Sequence, residues 1–336
     1  MARVACTLVL VGCSSAPPQP VDRFEIAWGG DILLGDAATD NLETHGHAWA
    51  FERIEQLISA DYLVGNAEGP ITSVEVPYFP DQEFSYNADP LAATALAGIG
   101  FDAVGLSNNH ALDRGPDGLR DTIANLTAAE VAAFGAGTRD EAESPHLVDT
   151  PSGLVAIVAL SDDWRYGAEA SSTTMGTISI TPEAVRRGHE MAEAAGARWI
   201  IAFVHWGENY SGITQSQRDA AKLFADAGYD LVVGHHPHIV QEVDVIDGMP
   251  VLYSLGNLAF GTPGRFEAGD GYGLIVTTAV GPEDAIEVSL ACIVTDNDMV
   301  EFQPEPCAAA EAERLFHGLG DFVHADGNRG VVDTGD

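Results

Sequence analysis

Positive charge is scarce in this sequence. Its 336 residues include 15 lysines and arginines against 51 aspartates and glutamates, which gives a formal net charge of −36, and Lys222 is the single lysine. A surface this negative repels phosphate backbones and disfavours electrostatic docking on anionic lipid. We therefore expect no nucleic-acid partner, and adaptation of an exported protein to salt would explain the acidic excess.

Long hydrophobic runs are also lacking, so the sequence predicts no transmembrane helix. The apolar run 4–12 is too short to span a bilayer, but it follows the positively charged Arg3 and leads into Leu10-Val11-Gly12-Cys13. This pattern matches a bacterial lipoprotein signal, in which the cysteine becomes lipidated, and a Pro-rich tether follows. We expect an exported, extracytoplasmic protein held at the cell membrane by a lipid on Cys13. An ordinary secretory signal is the alternative.

Cysteine is rare, with four in the chain. Cys6 lies within the proposed signal and Cys13 is the proposed lipid site, which leaves Cys292 and Cys307. These two could pair in an oxidising compartment, and they lack the CxxC spacing of a metal site. A serine hydrolase is poorly supported as well, because no G-x-S-x-G motif is present.

Strands and helices alternate along most of the chain, and further strands follow, which predicts a layered α/β sandwich. The predicted strands are 24–28, 62–65, 102–106, 131–134, 154–160, 199–204, 229–233, 239–246, 250–254, 272–280 and 286–295. The predicted helices are 48–59, 91–97, 116–129, 182–195, 214–227 and 308–318. We divide the chain into a signal and tether (1–20), a main domain (21–262), strands and a helix completing the same sandwich (263–320), and a tail (321–336).

Candidate metal ligands follow the predicted strands, where the carboxyl ends of parallel strands gather at one edge of a sheet. The ligand set is Asp31, Glu68, Asn109, His205, His236 and His238. Mixed carboxylate, amide and imidazole donors suit Mn, Fe or Zn, and two such ions can clamp a substrate oxygen and activate water. A solvated histidine-rich turn is the alternative for 235–238. We expect His110 to act as a general acid. The alternative is a histidine that only forms hydrogen bonds at the start of a helix.

Other polar residues lie close to these ligands in the sequence. We expect them to support the ligands or to line a substrate cleft. For Glu208 and Tyr210 the alternative is packing within a loop. For Asp113 the alternative is an ion pair or a helix cap formed locally. The set is Asn66, Asn108, Asp113, Glu208, Tyr210, His235, Tyr253 and Asn257.

Six ordered motifs give the chain a family resemblance. They are Gly30-Asp31, Gly65-Asn66-Ala67-Glu68-Gly69-Pro70, Ser107-Asn108-Asn109-His110-Ala111-Leu112-Asp113-Arg114-Gly115, His205-Trp206-Gly207, Gly234-His235-His236-Pro237-His238 and Tyr253-Ser254-Leu255-Gly256-Asn257. Over residues 24–262 the chain resembles the CapA family of bacterial capsule (poly-γ-glutamate) synthesis proteins, which looks like a branch of the calcineurin-like metallophosphoesterases.

The resemblance implies a four-layer α/β/β/α sandwich with a two-metal site between the sheets. It also implies that the six proposed ligands bind metal, that His110 is catalytic and that His235 supports a ligand. The sequence departs from the metallophosphoesterase pattern in two places. Asp31-Ile32-Leu33 replaces Asp-x-His, and Glu68 stands where an aspartate is more familiar. One of the two metal sites is therefore expected to be weak or absent.

Two functions follow. The first is a cell-surface, metal-dependent hydrolase or transferase that acts on a phosphoester or a γ-glutamyl amide during capsule synthesis or processing. The second is a non-catalytic, membrane-tethered accessory protein that binds an anionic polymer through a metal-containing cleft. A third candidate function, which the sequence supports less well, is a structural surface lipoprotein with a vestigial site. The implied partners are an exopolymer such as poly-γ-glutamate, or a phosphoester substrate, and membrane proteins of capsule synthesis.

Overall fold

The computed structural model describes residues 23–162, 168–264, 271–283 and 285–334. The proposed signal, its tether and the lipid site Cys13 lie outside these described residues. Among the described residues no helix has the length and apolar character needed to cross a membrane.

Sixteen strands are present within the described residues. They are β1 (Phe24–Leu33), β2 (Tyr62–Ala67), β3 (Ala103–Gly105), β4 (Ala132–Phe134), β5 (His146–Thr150), β6 (Gly153–Ser161), β7 (Ala197–His205), β8 (Leu231–His235), β9 (Val243–Ile246), β10 (Met249–Leu252), β11 (Asn257–Phe260), β12 (Tyr272–Val280), β13 (Glu287–Val294), β14 (Glu305–Pro306), β15 (Val323–Asp326) and β16 (Arg329–Val332).

Eight α-helices are also present within the described residues. They are α1 (Thr39–His45), α2 (Leu91–Ile99), α3 (Gly115–Ala128), α4 (Arg139–Glu143), α5 (Pro182–Ala194), α6 (Gln215–Ala227), α7 (Asn297–Val300) and α8 (Ala309–Gly318), with 3-10 turns at Asp36–Ala38 and His47–Phe51. Pro182 lies in the first turn of α5, where its missing N–H costs nothing, and the side chain of Thr181 caps that helix.

The strands form two sheets. The first has the order β15-β16-β13-β12-β1-β2-β3-β4, with β11 beside β1 and β14 beside β13. The second has the order β5-β6-β7-β8-β10-β9. Strands β1 to β4 run parallel, as do β6, β7, β8 and β10, so two groups of strand carboxyl ends are available to build a site.

Alternating side chains on the strands create three buried layers. Along β1, Ile26 and Trp28 pack into the core between the two sheets, whereas Ala27 packs against the helices outside the first sheet. Along β7, Phe203 joins the same central core and Ala202 faces the helices outside the second sheet. Since strand side chains alternate between faces, each sheet is buried on both sides. The predicted four-layer α/β/β/α sandwich is confirmed.

Several segments differ from their sequence predictions. The strand predicted over 239–246 is shorter, at Val243–Ile246, and β5, β11 and the short helices α1, α4 and α7 were not predicted. Three further differences concern longer segments. Strand β1 continues past Trp28 to Leu33, because β11 supplies hydrogen-bond partners to its second half. The helix predicted over 48–59 is a 3-10 turn at His47–Phe51 followed by non-helical turns. Residues 323–332, assigned to a tail, form the hairpin β15–β16, which pairs with β13. Each difference arises from pairing or packing with residues distant in the sequence.

Cys292 and Cys307 are joined by a disulfide. It links β13 to the segment that follows β14, and the backbone N–H of Cys307 also donates to the carbonyl of Cys292. The pairing that the sequence left open is therefore present in the structure.

Candidate metal centre

The proposed ligands meet at the edge where strands of both sheets end. Asp31 lies in β1 and Glu68 directly follows β2, whereas His205 is the last residue of β7 and the loop after β8 carries His236 and His238. These five side chains are buried, with residue exposures between 0% and 7%. The sixth proposed ligand, Asn109, is half-buried beside His205. The structure thus brings together residues that are up to 207 positions apart, within a site shared by both sheets.

Glu68 occupies the middle of this cluster. Its Oε1 lies 3.7 Å from Nε2 of His205, 3.8 Å from Nε2 of His238 and 3.9 Å from Nε2 of His110. These separations are longer than hydrogen bonds. The separations to His205 and His238 match the distance between two ligands of one ion, since each ligand atom lies about 2.0–2.2 Å from a metal such as zinc.

The Asp31 carboxylate is held by two donors. Asn66 donates from Nδ2 to Oδ1 at 2.7 Å, and the backbone N–H of His236 donates to Oδ2 at 3.2 Å. Complete burial raises the pKa of Asp31 to about 7, although both hydrogen bonds act in the opposite direction. A buried carboxylate gains most from a neighbouring cation, which restores the charged form.

His205 is the most crowded imidazole of the cluster. Its Nδ1 accepts a hydrogen bond from the Asn66 amide at 3.2 Å, and its Nε2 lies 2.9 Å from Oδ1 of Asn109 and 3.1 Å from Nδ1 of His236. Burial, followed by the surrounding histidines, lowers the pKa of His205 well below its usual value. The ring is therefore neutral at neutral pH, which is the form that binds metal.

The backbone after β8 is shaped to present two histidines. His236 has φ 102° and His238 has φ 58°, conformations that non-glycine residues rarely adopt. Gly234, at the start of the turn, tolerates no side chain, because a Cβ there would lie 2.1 Å from the carbonyl oxygen of Tyr253. Backbone strain of this kind persists where the surrounding structure enforces it, commonly at functional sites.

The donor set fits divalent metal. Glu68, His236 and His238 form one group of ligand atoms within 4.8 Å of one another, and Asp31, Glu68 and His205 form another. Glu68 belongs to both groups, as a bridging ligand would. Carboxylate with imidazole suits Mn, Fe or Zn better than Ca. The third residue of the Asp31-Ile32-Leu33 motif adds no ligand, because Leu33 packs with Tyr86 and Phe260.

His110 is oriented by a network of its own. Its Nδ1 lies 2.7 Å from Oδ2 of Asp113, and the same carboxylate accepts from the backbone N–H of Tyr86 at 2.7 Å and from Nε2 of Gln82 at 3.0 Å. The Tyr86 ring lies 4.1 Å from the His110 ring, centre to centre. Because Asp113 occupies Nδ1, the His110 Nε2 is the nitrogen that faces Glu68.

Sequence reasoning missed Gln82 and Tyr86. Both belong to the irregular stretch 70–90, which has no periodic pattern from which individual roles can be deduced. The available signal was the length and proline content of this stretch, since long loops in compact domains are often functional.

Among the predicted supporting residues, Asn66 and Asn257 contact ligands directly, and Asn108 supports Asn66. Asn108 donates to Oδ1 of Asn66 at 3.2 Å and to the carbonyl of Ala67 at 2.9 Å, while its own Oδ1 accepts from the backbone of His110. Asn257 places its Oδ1 2.9 Å from Nδ1 of His238. These amides connect the motifs to one another, so they can fix the orientation of the ligand side chains.

Three other expectations need correction or refinement. Tyr253 does not line the cleft, because its ring stacks on Trp206 in the core between the second sheet and its helices. Glu208 is exposed and belongs to neither group of potential metal ligands. Tyr210 packs near the cluster, with its ring 5.8 Å from that of His238 and its N–H bonded to the carbonyl of Pro237.

Comparison with known proteins gives matches over most of the chain. The model of the family described as bacterial capsule synthesis protein PGA_cap matches residues 25–262. The capsule biosynthesis protein CapA of Bacillus anthracis is 29% identical over 247 residues, which are 71% of this chain and 60% of that protein. The PGA biosynthesis protein CapA of Bacillus subtilis (strain 168) is also 29% identical, over 243 residues that make up 71% of this chain and 64% of that protein.

A solved structure also shows similarity. A putative 5′-nucleotidase from Staphylococcus aureus, in complex with alpha-ketoglutarate, aligns with a TM-score of 0.48 and 14% identity, over 81% of this chain and 54% of that one.

Proposed function

The chain belongs to the PGA_cap family of bacterial capsule synthesis proteins, and we propose that it is a metal-dependent, hydrolase-like protein acting in the synthesis or processing of a capsule polymer such as poly-γ-glutamate. The family match confirms the resemblance that the six motifs predict. The chain spans about 60% of the length of the Bacillus anthracis relative. The activity is therefore argued from the residues of this chain.

The position of Glu68 within two groups of buried metal-ligand atoms supports this proposal most strongly. Asp31, His205, His236 and His238 complete the groups, and Asn109 lies beside His205. Divalent ions held there would supply Lewis acidity at a substrate oxygen and would lower the pKa of a water molecule. The chain's own contribution is to hold these ligands in a dry, preorganised position.

His110 is the proposed general acid. The Nδ1–H group donates to Asp113, whose negative charge stabilises the protonated ring. The Nε2–H group faces the cluster and can give its proton to the leaving oxygen or nitrogen of the substrate. Tyr86 and Gln82 hold the Asp113 carboxylate in place, so they position the imidazole without touching the reacting atoms.

The first experiment is metal analysis by elemental mass spectrometry on the wild-type protein and on Asp31→Ala, His236→Ala and the exposed control Glu208→Ala. We expect between one and two transition-metal equivalents, because Leu33 stands where one site would need a ligand. The metal content should fall in the first two variants and stay unchanged in the control. About one equivalent would indicate a single site, in keeping with the apolar surroundings of Leu33. Absence of metal after reconstitution with Mn, Fe and Zn would reject the hydrolase.

A second function, non-catalytic binding of an anionic polymer through the same metal-containing cleft, is favoured by Leu33. The usual histidine is missing there, and the leucine side chain lies in an apolar cluster. His110→Asn distinguishes the two functions with poly-γ-glutamate and a phosphodiester as substrates. A hydrolase loses roughly 10²–10⁴-fold in turnover while keeping its metal. A binder keeps both its metal and its affinity for the polymer.

Export and lipid attachment at Cys13 complete the proposal. The disulfide between Cys292 and Cys307 supports an oxidising compartment, because such bonds are rare in the cytosol. We expect the full chain expressed in a bacterium to label with radioactive palmitate and to sediment with membranes. The variant Cys13→Ser should lose both the palmitate label and the sedimentation with membranes. Equal sedimentation of the unlabelled variant would contradict lipid anchoring.

A further inference from the structure

A second cleft lies beside the loop that carries His238. It has a volume of about 460 Å³ and is formed where α6 and α8 approach residues 239–241, which directly follow His238. Arg218 enters it from α6 and Arg314 from α8. This cleft is separate from the metal centre, since it contains none of the proposed metal ligands, but it adjoins the centre through one continuous loop.

The loop beneath the cleft is firmly held. Gln241 is buried, accepts from Nε2 of Gln217 at 2.8 Å and donates to the carbonyl of Ser211 at 2.9 Å. Val240 forms a backbone bridge with Leu255. These contacts fix the wall of the cleft against α6 and against the strand region that leads to Asn257, so the cleft does not need to form on ligand binding.

The two arginines differ from most described arginines of this chain, because neither forms an ion pair with another described residue. Within the described ranges, neither Arg218 nor Arg314 has a carboxylate oxygen within 4.0 Å. The Arg218 guanidinium lies 5.9 Å from the centre of the Tyr253 ring and interacts with the hydroxyl of that tyrosine. Most other described arginines form ion pairs, namely Arg23, Arg53, Arg120, Arg139, Arg186 and Arg187. Two cations without an ion pair among the described residues, in one cleft, thus stand out against a net charge of −36.

Two acidic residues also border the cleft. Glu311 uses its Oε2 to accept the backbone N–H of Ala308 at the start of α8, where the helix dipole favours a negative charge. Glu242 is exposed. Neither forms an ion pair with the arginines, so both guanidinium groups stay available to an incoming anion, which Arg binds in a bidentate manner.

The remaining walls are apolar, with Ile239, Leu315 and Leu319 among them. Combined with two guanidinium groups, they suit a ligand that carries carboxylates on a chain of methylene groups. We infer that this cleft is a binding subsite for the carboxylates of a γ-glutamyl polymer, held by Arg218 and Arg314 next to the metal centre. The inference rests on the proposed function, and it answers how so acidic a protein retains an acidic polymer.

The test is isothermal titration of the full chain with a short γ-linked glutamate oligomer at low salt. We expect the double variant Arg218→Gln/Arg314→Gln to lose about 5- to 20-fold in affinity, as two partly solvated charge pairs would. Arg218→Lys/Arg314→Lys should retain most of the affinity. Arg329→Gln on β16, another exposed arginine without an ion pair among the described residues, is the matched control and should bind as wild type.

Circular dichroism and thermal melting of each variant verify folding, and Asp31→Ala separates this inference from the proposed function. Oligomer binding that depends on Arg218 and Arg314 but persists in Asp31→Ala supports the subsite even if no turnover is found. Binding lost in Asp31→Ala and unchanged in the glutamine double variant would overturn the subsite and leave the metal centre as the polymer site. Equal binding of polyphosphate, or no oligomer binding, would also overturn it.

Discussion

His235 differs from the two histidines that follow it. Its Nδ1 lies 3.2 Å from the carbonyl of Val204 and its Nε2 lies 3.3 Å from the carbonyl of Gly29, so the ring connects the two sheets beneath the metal centre. Burial lowers the pKa of His235 to about 4. At neutral pH the ring is uncharged, so His235 adds no charge repulsion to the histidines that follow it.

Gly30 illustrates how closely the backbone packs beside the site. A Cβ at this position would lie 1.9 Å from the carbonyl oxygen of Gly256, and a backbone atom cannot move aside as a flexible side chain can. We expect Gly30→Ala to lower the free energy of unfolding by about 1–3 kcal/mol or more, measured by urea denaturation.

Gly98 in α2 provides the control, because a Cβ there meets no atom within 4 Å. Alanine is the better helix former, so Gly98→Ala should be neutral or stabilising by up to about 1 kcal/mol. Similar unfolding midpoints for the two variants would show that the strands near Gly30 can separate more easily than the structure indicates.

At the scale of secondary structure, β1 determines the geometry of the metal centre. Its first half pairs with β12, and after a register shift beyond Trp28 its second half pairs with β11. The shift places Asp31 opposite Asn257 on one side and Asn66 on the other. Backbone hydrogen bonds therefore align Asp31 with two amides. Asn66 supports Asp31 itself, and Asn257 supports His238.

The two sheets also touch through a polar contact away from the metal centre. The hydroxyl of Tyr62 in β2 lies 2.7 Å from Nε2 of His146 in β5, and the His146 ring stacks on Phe134. Burial lowers the pKa of His146 below its ordinary value of 6.5. The unfolded chain therefore binds a proton at this residue more readily than the folded protein does.

This shift predicts a pH effect on stability. As the pH falls below about 6.5, the unfolded state takes up the His146 proton first, so the free energy of unfolding decreases until the folded state is protonated too. His146→Phe removes this contribution, which is at most about 1.4 kcal/mol per pH unit. Urea unfolding at several pH values between neutrality and mild acid should show a shallower decline for the variant. Parallel curves would contradict the assignment.

At the scale of the whole molecule, net charge is the dominant electrostatic feature. A formal charge of −36 gives long-range repulsion within the folded protein, which salt screens. We expect the melting temperature to rise with NaCl, mostly below ~0.5 M, where the screening length has already become shorter than 10 Å. Differential scanning fluorimetry measures the melting temperature at each NaCl concentration. A melting temperature independent of salt would mean that counter-charges already balance the acidic surface.

The amino-acid sequence alone was enough to predict the layered class of the fold and to propose most of the candidate ligands. Strand and helix periods are local properties, and polar residues after buried strands mark where a parallel sheet gathers its ends. Asp31, Glu68, His205, His236 and His238 could therefore be named without coordinates. The ordered motifs added the family, since their residue types and order are specific.

Which of these residues meet, and at what distance, could be read only from the folded chain. The central position of Glu68, the support of Asp113 by Gln82 and Tyr86, and the placement of Tyr253 in a helix-facing core depend on pairing across long sequence separations. The pairing of the hairpin β15–β16 with β13 likewise depends on residues distant in the sequence. Local preferences specify a strand and its faces. The partner and register of that strand are set by packing of the whole chain, because backbone hydrogen bonds alone do not distinguish one neighbour from another.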